Sequence, residues 1–494
     1  MTRGNFHFIR HYKEFAIIFF LLLLMPAFVM AQEKLGIANS NYSSTNSIFL
    51  NPSSSVDSRT FVQLNLIGAN AYLMTNQVYL PAFSIWQMKK GYTQAPAVVT
   101  NKMKKFLYGN FSLDAPALVV SHRRIGIGIF FRGRAEIDIR RVPYQISRIL
   151  FLHEFDTVVP PEASINLKNV KLSNMSWAEY GANFGMMIHK RNNVLITAGG
   201  NAKYLTGIDL FYANLQRFKG YIKDTTVNIE KLKGKVRVSQ PGWKTGKGFG
   251  LDLGITYRRS FNSDVEYEGY YVNSKRSNCD CIDYQYKAGL SLLDLGYIKF
   301  PSKTYKAAID GSLYVQNYND AGPLDSLIQT GFDTTVEYNK PITATLPTAL
   351  SAQLDLNLTH HFYLNGTIIK NLIPGSATGV QRANLLSITP RFEHRQIEVA
   401  MPLTFHRFLY PQLGFAFRIR SFVFGMDNLF PLIIKKNTFG LNFYFNLGIS
   451  MFKNPACHVK QTHKKKEKIV KRSTAECPDF SKKRYKIFKF LRKS

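Results

Sequence analysis

The sequence predicts an all-β fold, a transmembrane antiparallel β-barrel of about 14 strands with a range of about 12–16. Many stretches alternate strictly between apolar and polar residues, most clearly from Ile125 to Ile139. That stretch is longer than an ordinary soluble strand of about 5–6 residues and covers the roughly 9–11 residues that a strand needs to cross a membrane. Short and long connections alternate between such stretches. Outer-membrane barrels have this layout, with short periplasmic turns and long outer loops.

The chain begins with the pattern of an export signal. Arg3, Arg10 and Lys13 precede an apolar run over 15–24 that is too short to span a membrane as a helix. We expect residues 1–31 to be a signal peptide that is cleaved between Ala31 and Gln32. The mature protein is then predicted to lie in the outer membrane of a Gram-negative cell.

The next segment differs from the barrel that follows it. Residues 32–59 are rich in Ser and Asn and lack strand alternation. We predict that they form a plug-like segment in the lumen or mouth of a barrel over 60–452. The basic tail, 453–494, follows the last aromatic strand.

The strands of the barrel are predicted from alternation and from the connections between them. They cover 61–73, 78–86, 115–121, 125–139, 180–188, 194–204, 248–258, 286–300, 305–316, 350–358, 362–370, 385–393, 397–403, 413–420, 422–428 and 439–451. We expect the segment near 78 or the one near 61 to lie outside the ring. The short connection over 301–304 is predicted to be one of the periplasmic turns.

Charged residues on the polar faces of these strands are candidates for lining the lumen. They are Arg132, Arg134, Glu136, Asp138, Asp252 and Arg258. They could line a ligand path, or they could pair with one another to fill a narrow lumen, because a sealed interior must satisfy its own polar groups. The segment 145–154 has helical spacing and is predicted to pack in a loop or to contact a ligand at the mouth.

The tail carries much of the formal net charge of +32. It could bind a periplasmic or surface protein or an anionic surface, or it could be a solvated extension. Export argues against nucleic acid as the partner, whereas membrane lipid and lipopolysaccharide are expected partners of the barrel. Cys457 and Cys477 could form a disulfide within the tail.

Nothing in the sequence indicates catalysis or a cofactor. His360 and His361 lie one predicted strand from Ser351, but no G-x-S-x-G motif is present. The glycines over 246–250 begin a strand rather than a helix, so no helix N-terminus is available for a phosphate. Cys279 and Cys281 lack a second pair at zinc-site spacing. We therefore expect a protein that is not an enzyme and that holds no metal or cofactor.

Six stretches of the chain carry a family resemblance. They lie at 50–53 (Leu-Asn-Pro-Ser), 177–180, 198–207, 246–257, 291–296 and 425–429. Their order and spacing resemble an uncharacterised family of exported barrel proteins related to the FadL-like superfamily of long-chain fatty-acid transporters. The resemblance implies an outer-membrane barrel plugged by its N-terminal segment, without catalytic residues. The basic tail departs from the family pattern.

Three functional hypotheses follow. The first is a passive channel or transporter for a small hydrophobic molecule. The second is a non-transporting barrel that serves as a scaffold or anchor for a cell-surface or secretion complex. The third is a soluble β-rich binding protein, which would require the apolar strand faces to pack against each other.

Overall fold

The computed structural model describes residues 34–84, 91, 94, 96–99, 101, 103–122, 124–144, 164–191, 193–223, 226–260, 284–315, 332–359, 361–429 and 436–452. The predicted signal peptide, the tail, the helix expected over 145–154, His360 and all four cysteines lie outside these residues.

The described residues contain a short helix α1 (Ser44–Ser47), a 3-10 turn η1 (Pro52–Ser55) and many strands. The strands are β1 (Thr60–Thr75), β2 (Val78–Phe83), β3 (Ala97–Val98), β4 (Lys105–His122), β5 (Ile125–Val142), β6 (Ser164–Arg191), β7 (Val194–Lys223), β8 (Thr226–Ser239), β9 (Gly246–Arg259), β10 (Tyr286–Phe300), β11 (Thr304–Val315), β12 (Phe332–Tyr338), β13 (Ile342–Thr345), β14 (Ala349–Asn357), β15 (Phe362–Asn371), β16 (Leu385–Glu393), β17 (Ile397–Ala400), β18 (Leu403–His406), β19 (Tyr410–Leu413), β20 (Phe415–Ile419), β21 (Phe422–Met426), β22 (Lys436–Thr438) and β23 (Gly440–Phe452).

The strands close into an antiparallel barrel of 14 strands, as predicted. The strand pairings give the order around the ring as β1, β4, β5, β6, β7, β9, β10, β13 with β14, β15, β16, β17 with β18, β19 with β20, β21 and β23. The first and last strands complete it, with Leu64 of β1 opposite Ile449 of β23. Closure matters in a membrane because it leaves no strand edge with unpaired backbone groups.

Two predicted strands lie outside the ring. The first is the segment near 78, which is β2 and forms a separate sheet with β3 and β22. The segment near 61, the other candidate for a position outside the ring, is β1 of the wall. The segment 305–316 was predicted as a wall strand, and that prediction is wrong: β11 pairs with β8 and β12. The segment does alternate between apolar and polar residues, but alternation does not show which strands it pairs with.

The two ends of the barrel differ. Short connections follow β4, β6, β14, β16 and β20 at one end, which we call the turn end; the opposite end is the loop end. The connection over 301–303 is at the loop end, because Phe300 lies opposite Ile342, far from the Arg259–Tyr286 pair. Its predicted position among the short turns was therefore wrong. The long connection 260–285 starts and finishes at the turn end.

A sheet, which we call the extension, projects from the loop end. The strands β6 and β7 have 28 and 30 residues, far more than a membrane crossing needs. Beyond Leu210, β7 pairs with β8, β8 with β11, and β11 with β12. The extension comprises these three strands with 164–171 of β6 and 210–223 of β7.

The outer wall exposes a broad apolar band. Ile125, Ile127 and Ile129 project outward from β5, and Ile129 is 61% exposed. Phe249 and Leu253 do the same on β9. Soluble proteins rarely expose apolar surface on this scale, and the faces do not pack against each other. This rules out the soluble hypothesis. No helix among the described residues is long and apolar enough to cross a membrane.

Candidate functional site

Residues 34–59, which we call the luminal segment, lie inside the barrel. All of them are buried except Asn39, Phe49 and Ser54, which are half-buried. Lys34 Nζ donates to Asp114 Oδ2 of β4 at 2.5 Å and to Asn446 Oδ1 of β23 at 2.6 Å. The segment therefore contacts the wall next to the strand pair that closes the ring.

The turn η1 docks the luminal segment onto β9 and β14. Asn51 caps the turn, because its Oδ1 accepts the N–H of Ser53 at 3.1 Å, and Pro52 occupies the first position. Asn51 Nδ2 donates to Thr256 Oγ1 at 3.2 Å and to Gln353 Oε1 at 3.1 Å. The hydroxyls of Ser53 and Thr256 are 2.7 Å apart. One short motif thus forms both the turn and its contacts with the wall.

Wall glycines make room for this contact. A Cβ on Gly199 would lie 2.8 Å from the carbonyl oxygen of Pro52, and one on Gly254 would lie 2.2 Å from Asn51 Oδ1. A Cβ on Gly126 would lie 2.6 Å from the carbonyl carbon of Ser55. Only glycine allows the luminal segment to approach these strands so closely.

Four of the six stretches that carry the family resemblance meet at this junction. Ser291 Oγ donates to the carbonyl oxygen of Leu50 at 2.6 Å, and Asn201 Nδ2 donates to that of Ile48 at 2.9 Å. With Gly199 and Gly254, these contacts bring together the stretches 50–53, 198–207, 246–257 and 291–296. They are far apart in sequence and adjacent in the lumen.

A buried network of charges lies on the loop side of the luminal segment. Its members are Arg134, Glu136, Glu179, Lys203, Asp252, Asp294 and Arg382. At its centre, Asp294 accepts from Arg134 at 2.9 Å, from Lys203 at 2.7 Å and from Arg382 at 2.7 Å. Three cations meet four carboxylates, so the network carries a formal charge of −1. A network of this kind holds several wall strands and an inner loop in one register.

A second network holds the luminal segment at the turn end. Arg391 contacts Asp355 at 2.9 Å and Glu393 at 2.7 Å, and Arg418 contacts Glu398 at 2.8 Å. The luminal segment joins it through Ser40 Oγ, which donates to Glu398 Oε2 at 2.6 Å, and through the backbone N–H of Asn41, which donates to Glu393.

The loop end of the lumen is filled from the wall itself. Residues 378–382 of the connection after β15 are buried in the lumen, where Gly379 bridges Thr345 and Arg382 reaches Asp294. Beside them lies an apolar cluster, which consists of Met175, Trp177, Leu205, Leu210, Ile298, Phe300, Ile342, Ala344, Leu346 and Val380. Between the luminal segment and the strands β10 and β14 lies a small cavity of about 40 Å³. The described lumen is thus occupied from both ends.

The six residues proposed from the sequence are all buried, in four different places. Arg134, Glu136 and Asp252 belong to the central network. Arg132 contacts Asp114 at 2.9 Å, and Arg258 contacts Asp57 of the luminal segment at 2.5 Å. Asp138 pairs with Arg140 near the mouth.

Sequence reasoning missed several members of the networks. Glu179 and Lys203 lie in or next to predicted strands, on their polar faces, and could have been found by extending the alternation. Asp294 interrupts an apolar run, and a register shift between Leu292 and Leu295 turns it inward. Arg382 comes from a connection and carries no pattern. Ser351 and His361 do not form a catalytic pair in these contacts, since Gln353 donates to Ser351 Oγ and His361 Nδ1 lies 3.1 Å from the carbonyl of Glu393.

These features define a class. A closed antiparallel barrel with an apolar outer band and a polar lumen filled by its own chain is a transmembrane β-barrel protein. The chain belongs to DUF5723, a family of unknown function, whose model matches residues 52–427.

Comparison with solved structures gives remote likenesses to barrel proteins. The TodX monoaromatic hydrocarbon channel deltaS2 mutant is 7% identical, with 83% of this chain and 97% of that chain covered and a TM-score of 0.38. A Pseudomonas aeruginosa FadL homologue is 9% identical, with coverages of 86% and 99% and a TM-score of 0.27. The Pseudomonas putida toluene transporter TodX is 8% identical, with the same coverages and a TM-score of 0.26. No curated protein matches the sequence. We base the functional proposal on this chain's own residues.

Proposed function

We propose that this protein is a passive outer-membrane channel or transporter for a small hydrophobic molecule, closed in this structure by its luminal segment. The observation that carries the proposal is the way in which the lumen is filled. A separate N-terminal segment occupies it, held by hydrogen bonds and seated against Gly126, Gly199 and Gly254. A barrel that only anchors a complex could fill its lumen with wall side chains, whereas a separate segment can move without opening the wall.

The apolar cluster at the loop end supports a hydrophobic cargo. It lies on the lumen side, and its largest member, Trp177, is fully buried. A molecule that entered from the loop end would meet these side chains before the charged network. Burial of apolar surface supplies most of the binding energy in sites for small molecules.

The proposal includes the cellular setting. Residues 1–31 would be removed after Ala31, the apolar band would contact lipid and lipopolysaccharide, and the tail 453–494 would lie in the periplasm. A disulfide between Cys457 and Cys477 remains a prediction for that compartment.

A second candidate function is a scaffold or anchor for a surface or secretion complex. The extension favours it, because β6 and β7 continue far beyond the length needed to cross the membrane. Deletion of 453–494 tests this candidate. Partner proteins that co-purify with the full chain and are lost on deletion, while the barrel remains folded, would support the scaffold role.

A reversible lock tests the channel proposal. Ser53→Cys with Thr256→Cys replaces two hydroxyls that are 2.7 Å apart and would tie the luminal segment to β9. The four native cysteines are first changed to Ser. We expect uptake of a small uncharged fluorophore into proteoliposomes to fall when the pair is oxidised and to return on reduction.

The single variant Ser53→Cys serves as the control and should respond to neither treatment. Equal uptake in the oxidised and reduced double variant, above the protein-free background, would show that the segment does not gate the route. Uptake at background in every state would favour the scaffold function.

A further inference from the structure

One face of the extension is strongly basic. Its exposed and half-buried cations are Lys168, Arg217, Lys219, Lys231, Lys233, Lys235, Arg237 and Lys306. We call the surface that they form the cationic face. The four from β8 occupy alternate positions and therefore project to the same side. The register brings the others to this side, since Lys168 lies opposite Arg217, and Arg217 lies opposite Lys233.

The cationic face lies beside the mouth of the barrel, on the lumen side of the extension. Arg237 lies opposite Tyr212, which is buried on the lumen side of β7, and its guanidinium donates to Thr378 of the inward-folded loop. The other side of the extension is apolar, with Ala213 opposite Val236 on neighbouring strands. The basic face is therefore the one that continues the lumen side of the wall, and the apolar face continues the outer side.

The arrangement of charges works against the stability of the extension. Four like-charged pairs lie directly opposite each other on adjacent strands: Lys168 with Arg217, Arg217 with Lys233, Lys219 with Lys231, and Arg237 with Lys306. Such pairs destabilise a sheet. Charges of alternating sign would keep this surface soluble without repulsion. The repulsion among its cations therefore indicates a negatively charged ligand whose binding would reduce it.

The carboxylates of the extension offset only part of this charge. Asp310 contacts Lys231 at 2.7 Å and Lys233 at 2.8 Å, and these hydrogen bonds lower the pKa of Asp310 to about 2. Glu230, Asp333 and Glu337 also lie in the extension, so its eight facing cations exceed the four carboxylates by a formal charge of +4. Among the described residues, Lys168, Arg217 and Lys235 are exposed and contact no carboxylate.

The spacing of the cations suits an extended ligand. Neighbouring strands lie about 4.8 Å apart, and alternate residues along a strand lie about 6.7 Å apart. The cations therefore form a grid with steps of roughly 5–7 Å, across four strands and about 20 Å. A small anion could meet only two or three of them at once. A flexible chain with a negative charge on each sugar unit could meet most of them.

We propose that the cationic face binds a linear acidic polysaccharide above the mouth of the barrel. The choice of a glycan rests on the proposed function, which places the tail in the periplasm. The tail follows Phe452, which lies opposite Thr60 at the turn end, so the loop end lies outside the cell, where acidic glycans are the available polyanions. Binding would be electrostatic and salt-dependent, with many weak contacts rather than one deep pocket.

The test uses the full-length protein in lipid nanodiscs with fluorescently labelled polygalacturonate as the probe. The triple variant Lys168→Gln, Arg217→Gln, Lys235→Gln removes the three exposed cations that contact no carboxylate of the described residues. We expect its affinity at low salt to be about tenfold weaker than that of the unchanged protein, as the loss of three exposed charge contacts implies. The control variant Lys247→Gln, Lys370→Gln removes two exposed lysines of the outer wall near the loop end and should bind like the unchanged protein.

Folding of each variant is checked by its heat-modifiable migration on a gel. Equal affinity of a folded triple variant and the unchanged protein would overturn the proposal, as would no binding at 50 mM salt. Tighter binding of polyglutamate or duplex DNA than of polygalacturonate would overturn the assignment to a glycan. Fluorophore uptake by the unchanged protein separates the two proposals, because background uptake with retained polygalacturonate binding would count against the channel alone.

Discussion

Replacement of Lys203 by Met tests the central charge network most directly. Lys203 Nζ lies 2.7 Å from Asp252 and 2.7 Å from Asp294, and its side chain is 3% exposed. The network already has one carboxylate more than it has cations, so the loss of Lys203 leaves two cations for four carboxylates. Methionine has a similar length and keeps most of the packing.

The expected cost follows from this geometry. Removal of one partner from a buried ion pair costs about 3–5 kcal/mol, because the other charge stays buried without compensation. At 1.4 kcal/mol for each factor of ten, the equilibrium between folded and unfolded barrel should shift by roughly 100-fold to 4,000-fold. We expect the folded barrel to survive, since each wall strand keeps its backbone hydrogen bonds.

The assay is reversible unfolding in guanidinium chloride of the protein in lipid vesicles, followed by tryptophan fluorescence. Trp177 donates to Glu179 beside the network and reports on its integrity. The matched control is Lys233→Met, an exposed lysine paired with Asp310, which should cost about 0–1 kcal/mol. If Lys203→Met cost no more than this control, the network would be hydrated or its carboxylates protonated, and the reasoning would fail.

Two further predictions concern the luminal segment and the outer band. Gly199→Leu should displace the luminal segment, because a Cβ at this position would already lie 2.8 Å from the carbonyl oxygen of Pro52. Limited proteolysis should then cut the displaced segment. The control Gly366→Ala, whose Cβ would have nothing within 4 Å, should leave the segment protected. Ile129→Lys places a charge on the 61%-exposed outer band and should destabilise the barrel in lipid vesicles by about 2–4 kcal/mol if the site lies near the bilayer midplane. Val336→Lys on the extension should change the free energy of unfolding little, and equal effects of these two lysines would refute the assigned position of the lipid band.

Much of the wall could be predicted from sequence because its signal is local. The alternation over 125–139 indicates two faces without reference to any neighbour, and β5 extends over Ile125–Val142. The charges that the pattern assigned to one face, such as Arg134 and Glu136, are buried together on the lumen side. The same signal misled at 305–316, where an alternating strand pairs with β8 and β12 outside the ring.

The candidate site could be predicted from the sequence only in part. The stretch Leu50-Asn-Pro-Ser53 attracted attention as a resemblance, but nothing in the sequence said which wall residues it meets. Those partners are glycines, which carry no side chain to mark them, and backbone carbonyls, which every residue has. Arg382 could not be predicted, because it reaches Asp294 from a connection that folds inward.

The amino-acid pattern alone is enough to predict long amphipathic strands, since the side to which each residue projects follows from a period of two along the backbone. It is also enough to predict the barrel class and the charged inner face. Which strands close the ring, where the luminal segment lies and which charges pair depend on the tertiary structure. Those outcomes depend on residues as distant as Lys34 and Asn446, which are 412 positions apart and 2.6 Å from each other in the lumen. A barrel closes only when the registers of all its strand pairs are compatible, so each pairing depends on the whole ring, whereas alternation depends on each strand alone.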